Sequence, residues 1–117
     1  MKILTGGVGK AETAHAVREL ALDGVEVSVS NDMDAAASLR AGRADYYLGT
    51  CHTGAGASLG VLVGLLGREA CHTFGRSTPT ADEVAALLSG GTRVFGFSVD
   101  RIEAVAPTLA RAIAARV

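Results

Sequence analysis

Read for hydropathy alone, the chain alternates between short apolar runs and longer stretches in which apolar residues return every three or four positions. Five runs predict strands: residues 2–5, 25–30, 46–50, 70–74 and 93–98. Between them, residues 11–22 predict a helix with Ala14, Val17, Leu20 and Ala21 on one face, closed by Gly24. Residues 33–41 predict a second, capped by Asn31 or Asp32 and ended by Gly42. Residues 55–66 are almost wholly apolar, so a helix there is expected to be buried on most sides. Thr80-Ala81-Asp82-Glu83 is a capping box opening a helix to Leu88. Asp100-Arg101-Ile102-Glu103 has the same pattern and opens a last helix, with Pro107 as a kink or restart.

Strict strand–helix alternation implies parallel pairing, since each crossover needs an intervening helix. The expected fold is one α/β domain over residues 1–117, three-layer α/β/α. Its five-stranded parallel sheet takes a flavodoxin-like (Rossmann-like) order 2-1-3-4-5, with the period-two segment 25–30 near an edge.

Composition narrows the function classes. A net charge of −1, with both signs dispersed, argues against broad binding to nucleic acid or to an anionic membrane. Aromatic residues at 4% give no stacking platform for bases. The most apolar stretch, residues 55–67, is about half of a bilayer span and stops at Arg68, so direct membrane insertion is not expected. The opening residues run straight into a strand, and two cysteines make no disulfide framework; a cytoplasmic protein with reduced thiols is the expectation.

The candidate chemistry gathers after the third strand, in Cys51-His52-Thr53-Gly54-Ala55-Gly56-Ala57-Ser58. In an open parallel sheet, ligands bind beyond the strand carboxyl ends near the point where strand order reverses. Gly54 and Gly56 permit a tight turn, and the amides from Gly54 to Ala57 open a helix without intrahelical acceptors. Such amides suit a phosphate, a carboxylate or an enediolate oxygen, so Thr53 to Ser58 are the candidate ligand-binding residues. Cys51 at a helix start is a candidate base or nucleophile, and His52 a weaker candidate proton shuttle. After the first strand, Gly6-Gly7-Val8-Gly9-Lys10 resembles a fragment of a phosphate loop. Its glycine spacing is too short, and Ala11 stands where a magnesium-binding hydroxyl is needed, so an NTPase is excluded. Lys10 and the Gly7–Gly9 amides remain candidates for a second anionic group. The two Cys-His pairs, at 51–52 and 71–72, do not suit zinc, because adjacent strand residues face opposite ways; no metal or cofactor is expected. Gly56, Gly60 and Gly64 form a ridge expected to pack on the sheet, or else to join two copies in a homo-oligomer.

Asn31-Asp32-Met33-Asp34-Ala35-Ala36, Asp45-Tyr46-Tyr47-Leu48-Gly49-Thr50-Cys51, Thr53-Gly54-Ala55-Gly56-Ala57 and Phe95-Gly96-Phe97-Ser98-Val99 resemble the YhfU family over nearly the whole chain. That resemblance implies a short bacterial protein of unassigned function, with a membrane transporter and metabolic enzymes encoded nearby. Over residues 48–59 alone, the loop is similar to the Cys-x-(Ser/Thr)-Gly-x-Gly-x-Ser loop of type B ribose-5-phosphate isomerases. This implies Cys51 as the base that removes a proton α to a carbonyl, with the Thr53–Ala57 amides as the oxyanion hole. Those isomerases carry an Asp-His pair after the first strand, where this chain has Gly6-Gly7-Val8-Gly9-Lys10, and no counterpart of their arginine-bearing segment is seen. The function expected is binding of a small anionic metabolite, with isomerase-type proton transfer as the candidate reaction. The alternative is a non-catalytic regulatory or transporter-associated subunit with a fold like phosphotransferase-system B components. Their reactive cysteine follows the first strand, where this chain has Thr5-Gly6-Gly7.

Overall fold

Strands β1 (Lys2–Gly7), β2 (Glu26–Val29), β3 (Tyr46–Cys51), β4 (Cys71–Thr73) and β5 (Val94–Ser98) form one all-parallel sheet in the order β2-β1-β3-β5-β4. A computed structural model describes residues 1–53 and 59–117. Helices α1 (Lys10–Glu19), α2 (Asp32–Arg40), α3 (Gly60–Leu66), α4 (Ala81–Ser89) and α5 (Ile102–Ala114) complete the alternation.

Alternating strand residues build two separate cores, as the pleat requires. Ile3, Tyr46, Leu48, Phe95 and Phe97 face α1, α4 and α5, whereas Leu4, Tyr47 and Val94 face α2 and α3. The three-layer arrangement therefore follows the expectation, and β2 is indeed an edge strand.

The other edge is corrected. The expected order 2-1-3-4-5 placed β4 inside; the structure puts β5 there and β4 outside. Val-Phe-Gly-Phe-Ser of β5 is buried along its whole length, which only an interior strand covered on both faces can achieve. β4 has three half-buried residues, suited to an edge.

Element ends differ for identifiable reasons. α1 stops at Glu19, and Gly24 instead uses φ +76° in the turn into β2. Asn31, not Asp32, caps α2, its side chain accepting from the Asp34 amide at 2.9 Å. The Thr80–Glu83 capping box forms as expected. The second does not: Asp100 lies in a 3-10 turn ahead of α5 and its carboxylate accepts from Ser98. Helix α5 continues through Pro107.

The expectation of a helix buried on most sides fails for α3. Only Leu62 is fully covered; Val61 is 37% and Leu65 41% exposed. A Cβ built on Gly60 or Gly64 would meet nothing within 4 Å, so these two glycines do not pack on the sheet. Among the described residues no helix is long and apolar enough to cross a membrane.

Candidate functional site

The sheet order reverses between β1 and β3, because the chain leaves β1 for β2 on one side and returns to β3 on the other. The carboxyl ends of these strands are thus the expected ligand edge.

Three glycines shape that edge. Gly6, Gly49 and Gly96 stand in register across β1, β3 and β5. A Cβ on Gly6 would fall 1.9 Å from the Tyr47 hydroxyl oxygen, and one on Gly49 would fall 2.8 Å from the Tyr47 ring. The bare backbone therefore makes a trough in which the Tyr47 ring lies along the sheet. Tyr47 pairs with Leu4, while its hydroxyl reaches over Gly6, two residues nearer the carboxyl end. There the hydroxyl donates to Asp32 Oδ1. Tyr47 is fully buried and Asp32 half-buried. Burial, and then the Asp32 carboxylate, push the Tyr47 phenol far above its ordinary range.

The turn after β1 is tied to β3 by Thr50. Val8 N donates to Thr50 O at 3.2 Å, and Gly9 N to Thr50 Oγ1 at 2.8 Å. Thr50 Oγ1 in turn donates to Gly6 O at 3.3 Å. This corrects the reading that the Gly7–Gly9 amides hold an anion: two of the three are already satisfied within the protein. Gly9 is also packed tightly, since a Cβ there would meet Ile102 at 2.6 Å. What the turn does is place Lys10 at the start of α1, where its carbonyl accepts from Thr5 Oγ1 at 2.8 Å.

A groove of about 450 Å³ follows from this arrangement, lined by Gly7, Lys10, Ser30, Asn31, Asp32, Met33 and Val61. It brings together the two segments after β1 and β2. A larger cleft of about 620 Å³ between α1 and α5 is lined by Glu12, Asp100 and Glu103, a poor setting for an anion.

Cys51 is the last residue of β3, half-buried and paired with Ser98 of β5; His52 and Thr53 follow it, exposed. Gly54, Ala55, Gly56, Ala57 and Ser58 lie outside the described residues, and with them the oxyanion hole assigned to the loop. Beside Cys51, the buried Ser98 hydroxyl donates to Asp100. That bond, with the guanidinium groups of Arg76 and Arg101 beyond it, holds Asp100 below the usual carboxylate range against a smaller opposing effect of desolvation. The second Cys-His pair is remote. Cys71 pairs with Val94 and Cys51 with Ser98, four residues further along β5 and on its other side. The two cysteines are thus offset by roughly 13 Å along the strands as well as by two strand spacings.

Sequence reasoning missed the Tyr47–Asp32 pair. The signal was present: two capping candidates preceded one helix, and a single N-cap leaves the other side chain for another task. A tyrosine in an otherwise apolar interior strand likewise needs a partner for its hydroxyl.

These features define an all-parallel, three-layer α/β protein with a groove beyond the carboxyl ends of β1 and β2, lined in part by Lys10, Asn31 and Asp32. Within that class, the chain belongs to the family described as "Protein of unknown function DUF2620", whose model matches residues 1–113. It is 33% identical over 110 residues to "Uncharacterized protein YhfU" of Escherichia coli strain K12, covering 92% of this chain and 94% of that protein. The Shigella flexneri protein of the same name matches to the same extent. The fold is shared with the crystal structure of ribose-5-phosphate isomerase B from Giardia lamblia. The TM-score is 0.64 at 18% identity, covering 99% of this chain and 92% of that one.

Proposed function

We propose that the chain binds a small metabolite bearing a phosphate or carboxylate across the carboxyl ends of β1, β2 and β3. Lys10 supplies the opposing charge. Cys51 acts as the base of an isomerase-type proton transfer. In that step the Cys51 thiolate takes the proton from the carbon beside a carbonyl, and the electron pair moves onto the carbonyl oxygen to give an enolate, which is an enediolate where that carbon bears a hydroxyl. The observation that carries this reading is the groove beyond the carboxyl ends of β1 and β2, with Lys10 in its wall and Cys51 ending β3, the strand on the other side of β1. The fold shared with a protein named as a sugar-phosphate isomerase supports it.

Calorimetry with propyl phosphate tests the binding half. Lys10→Ala is expected to weaken binding about ten-fold, the loss of one charge-assisted contact. Equal affinity in the two proteins removes Lys10 from the site.

Alkylation by iodoacetamide across pH tests the base. A base role requires Cys51 to react half-maximally below about pH 8.5, the value of an ordinary thiol. Cys71, whose thiol burial pushes up, serves as the internal comparison. An ordinary Cys51 profile leaves binding without catalysis. That outcome corresponds to the second reading, a non-catalytic regulatory subunit, which the exposed and uncharged face of α3 supports.

A further inference from the structure

The groove holds a feature that an anion site alone does not require: a fixed carboxylate. Asp32 repels an anionic group, yet it stands in the same wall as Lys10. It is not there as the helix cap, because Asn31 performs that task. Among the described residues its one hydrogen bond comes from Tyr47, and its second carboxylate oxygen accepts none. The Tyr47 ring is locked by the glycine trough, so the phenol cannot swing away without striking the backbone of β1 or β3. A carboxylate oriented by a buried donor and open on its other oxygen is an acceptor for hydroxyl groups.

We propose that Asp32, positioned by Tyr47, binds hydroxyl groups of the ligand whose anionic end meets Lys10, so that the groove selects a hydroxylated anion over a plain one. This rests on the anion-binding reading above and adds the substrate class to it. Tyr47 is a positioning residue: it acts through Asp32.

Two probes of equal charge and carbon count separate the claims. Glycerol 3-phosphate and propyl phosphate differ in two hydroxyls, and their affinities are compared by calorimetry on the full chain. The unaltered protein is expected to favour glycerol 3-phosphate about five-fold, the worth of one ordinary net hydrogen bond. Asp32→Ala is expected to bring the ratio to about one while propyl phosphate binds as well or better, a local repulsion having gone. Asp32→Asn, which keeps the size and loses the charge, is expected to lower the ratio part of the way. Tyr47→Phe is expected to lower it about two-fold with the helical circular dichroism retained, since the aspartate stays but loses its orientation.

Equal affinities for the two probes in the unaltered protein overturn the proposal and leave anion binding standing, as does a five-fold ratio that survives Asp32→Ala. A ratio untouched by Tyr47→Phe removes the positioning role. If neither phosphate binds, the anion-binding reading fails and takes this one with it.

Discussion

Gly7→Ala is expected to destabilise the protein by about 3 kcal/mol, a large share of what a domain of this size has to spare. Gly7 has φ +87°, a conformation that costs an L-residue roughly 1–2 kcal/mol. The remainder is collision. A Cβ there would sit 1.9 Å from the Thr50 carbonyl oxygen, a backbone atom that cannot rotate aside. Thr50 also accepts from Val8 and Gly9, so moving it loosens the whole turn that presents Lys10. Gly42→Ala is the control: φ is +76°, but nothing lies within 4 Å of its Cβ. Its expected cost is the conformational part alone, about 1 kcal/mol. Urea denaturation of both variants checks the difference, and equal costs would show that the Thr50 collision relaxes freely.

The second large effect lies at high pH. Tyr47 is raised in the folded state by burial and by Asp32, whereas in the unfolded chain it titrates near 10. Above pH 10 the unfolded state therefore loses a proton that the native state keeps. Its stabilising contribution is complete below that pH and is lost as pH rises toward the folded value. The expected decline approaches about 1.4 kcal/mol per pH unit once the unfolded tyrosine is ionised, or roughly 2 kcal/mol between pH 10 and 12. Tyr47→Phe lowers stability at neutral pH by about 1.5–3 kcal/mol, the worth of a hydrogen bond to a charged group. It also removes that part of the alkaline slope. Denaturation midpoints of the two proteins from pH 7 to 11.5 give the comparison. Parallel curves would mean that Tyr47 ionises as easily folded as unfolded.

Both effects originate in features that a linear reading sees only in part. The strand–helix alternation and the edge position of β2 were legible, because burial on two faces and on one leave different hydropathy patterns. The interior place of β5 was less so. Continuous apolar character marked it as covered, but chain order suggested the end of the sheet. Helix α3 misled for a related reason. Seven apolar and glycine residues in a row say nothing about which face is turned to the sheet, and Val61 and Leu65 proved exposed.

At the proposed site, Lys10 and Cys51 were singled out from sequence because each stands at or just after a strand's carboxyl end, the edge where ligands gather in such sheets. The roles of the glycines were not. Gly6, Gly49 and Gly96 acquire meaning only from their register across three strands, which no single segment encodes. Gly6 and Gly49 admit the Tyr47 ring, and Gly96 admits the Leu59 side chain. The amides of Val8 and Gly9, read as free donors, had been claimed by Thr50, a residue 41 positions from Gly9.

The claim on which the rest depends is that an anion docks in the groove beyond the carboxyl ends of β1 and β2, against Lys10. Nuclear magnetic resonance of the amide-labelled protein during titration with propyl phosphate locates it directly. Saturable shifts concentrated at Gly7, Lys10, Asn31 and Asp32, and needing about ten-fold more ligand in Lys10→Ala, are the predicted result. Saturable shifts centred on the α1–α5 cleft, or no saturable shifts at all, would contradict it.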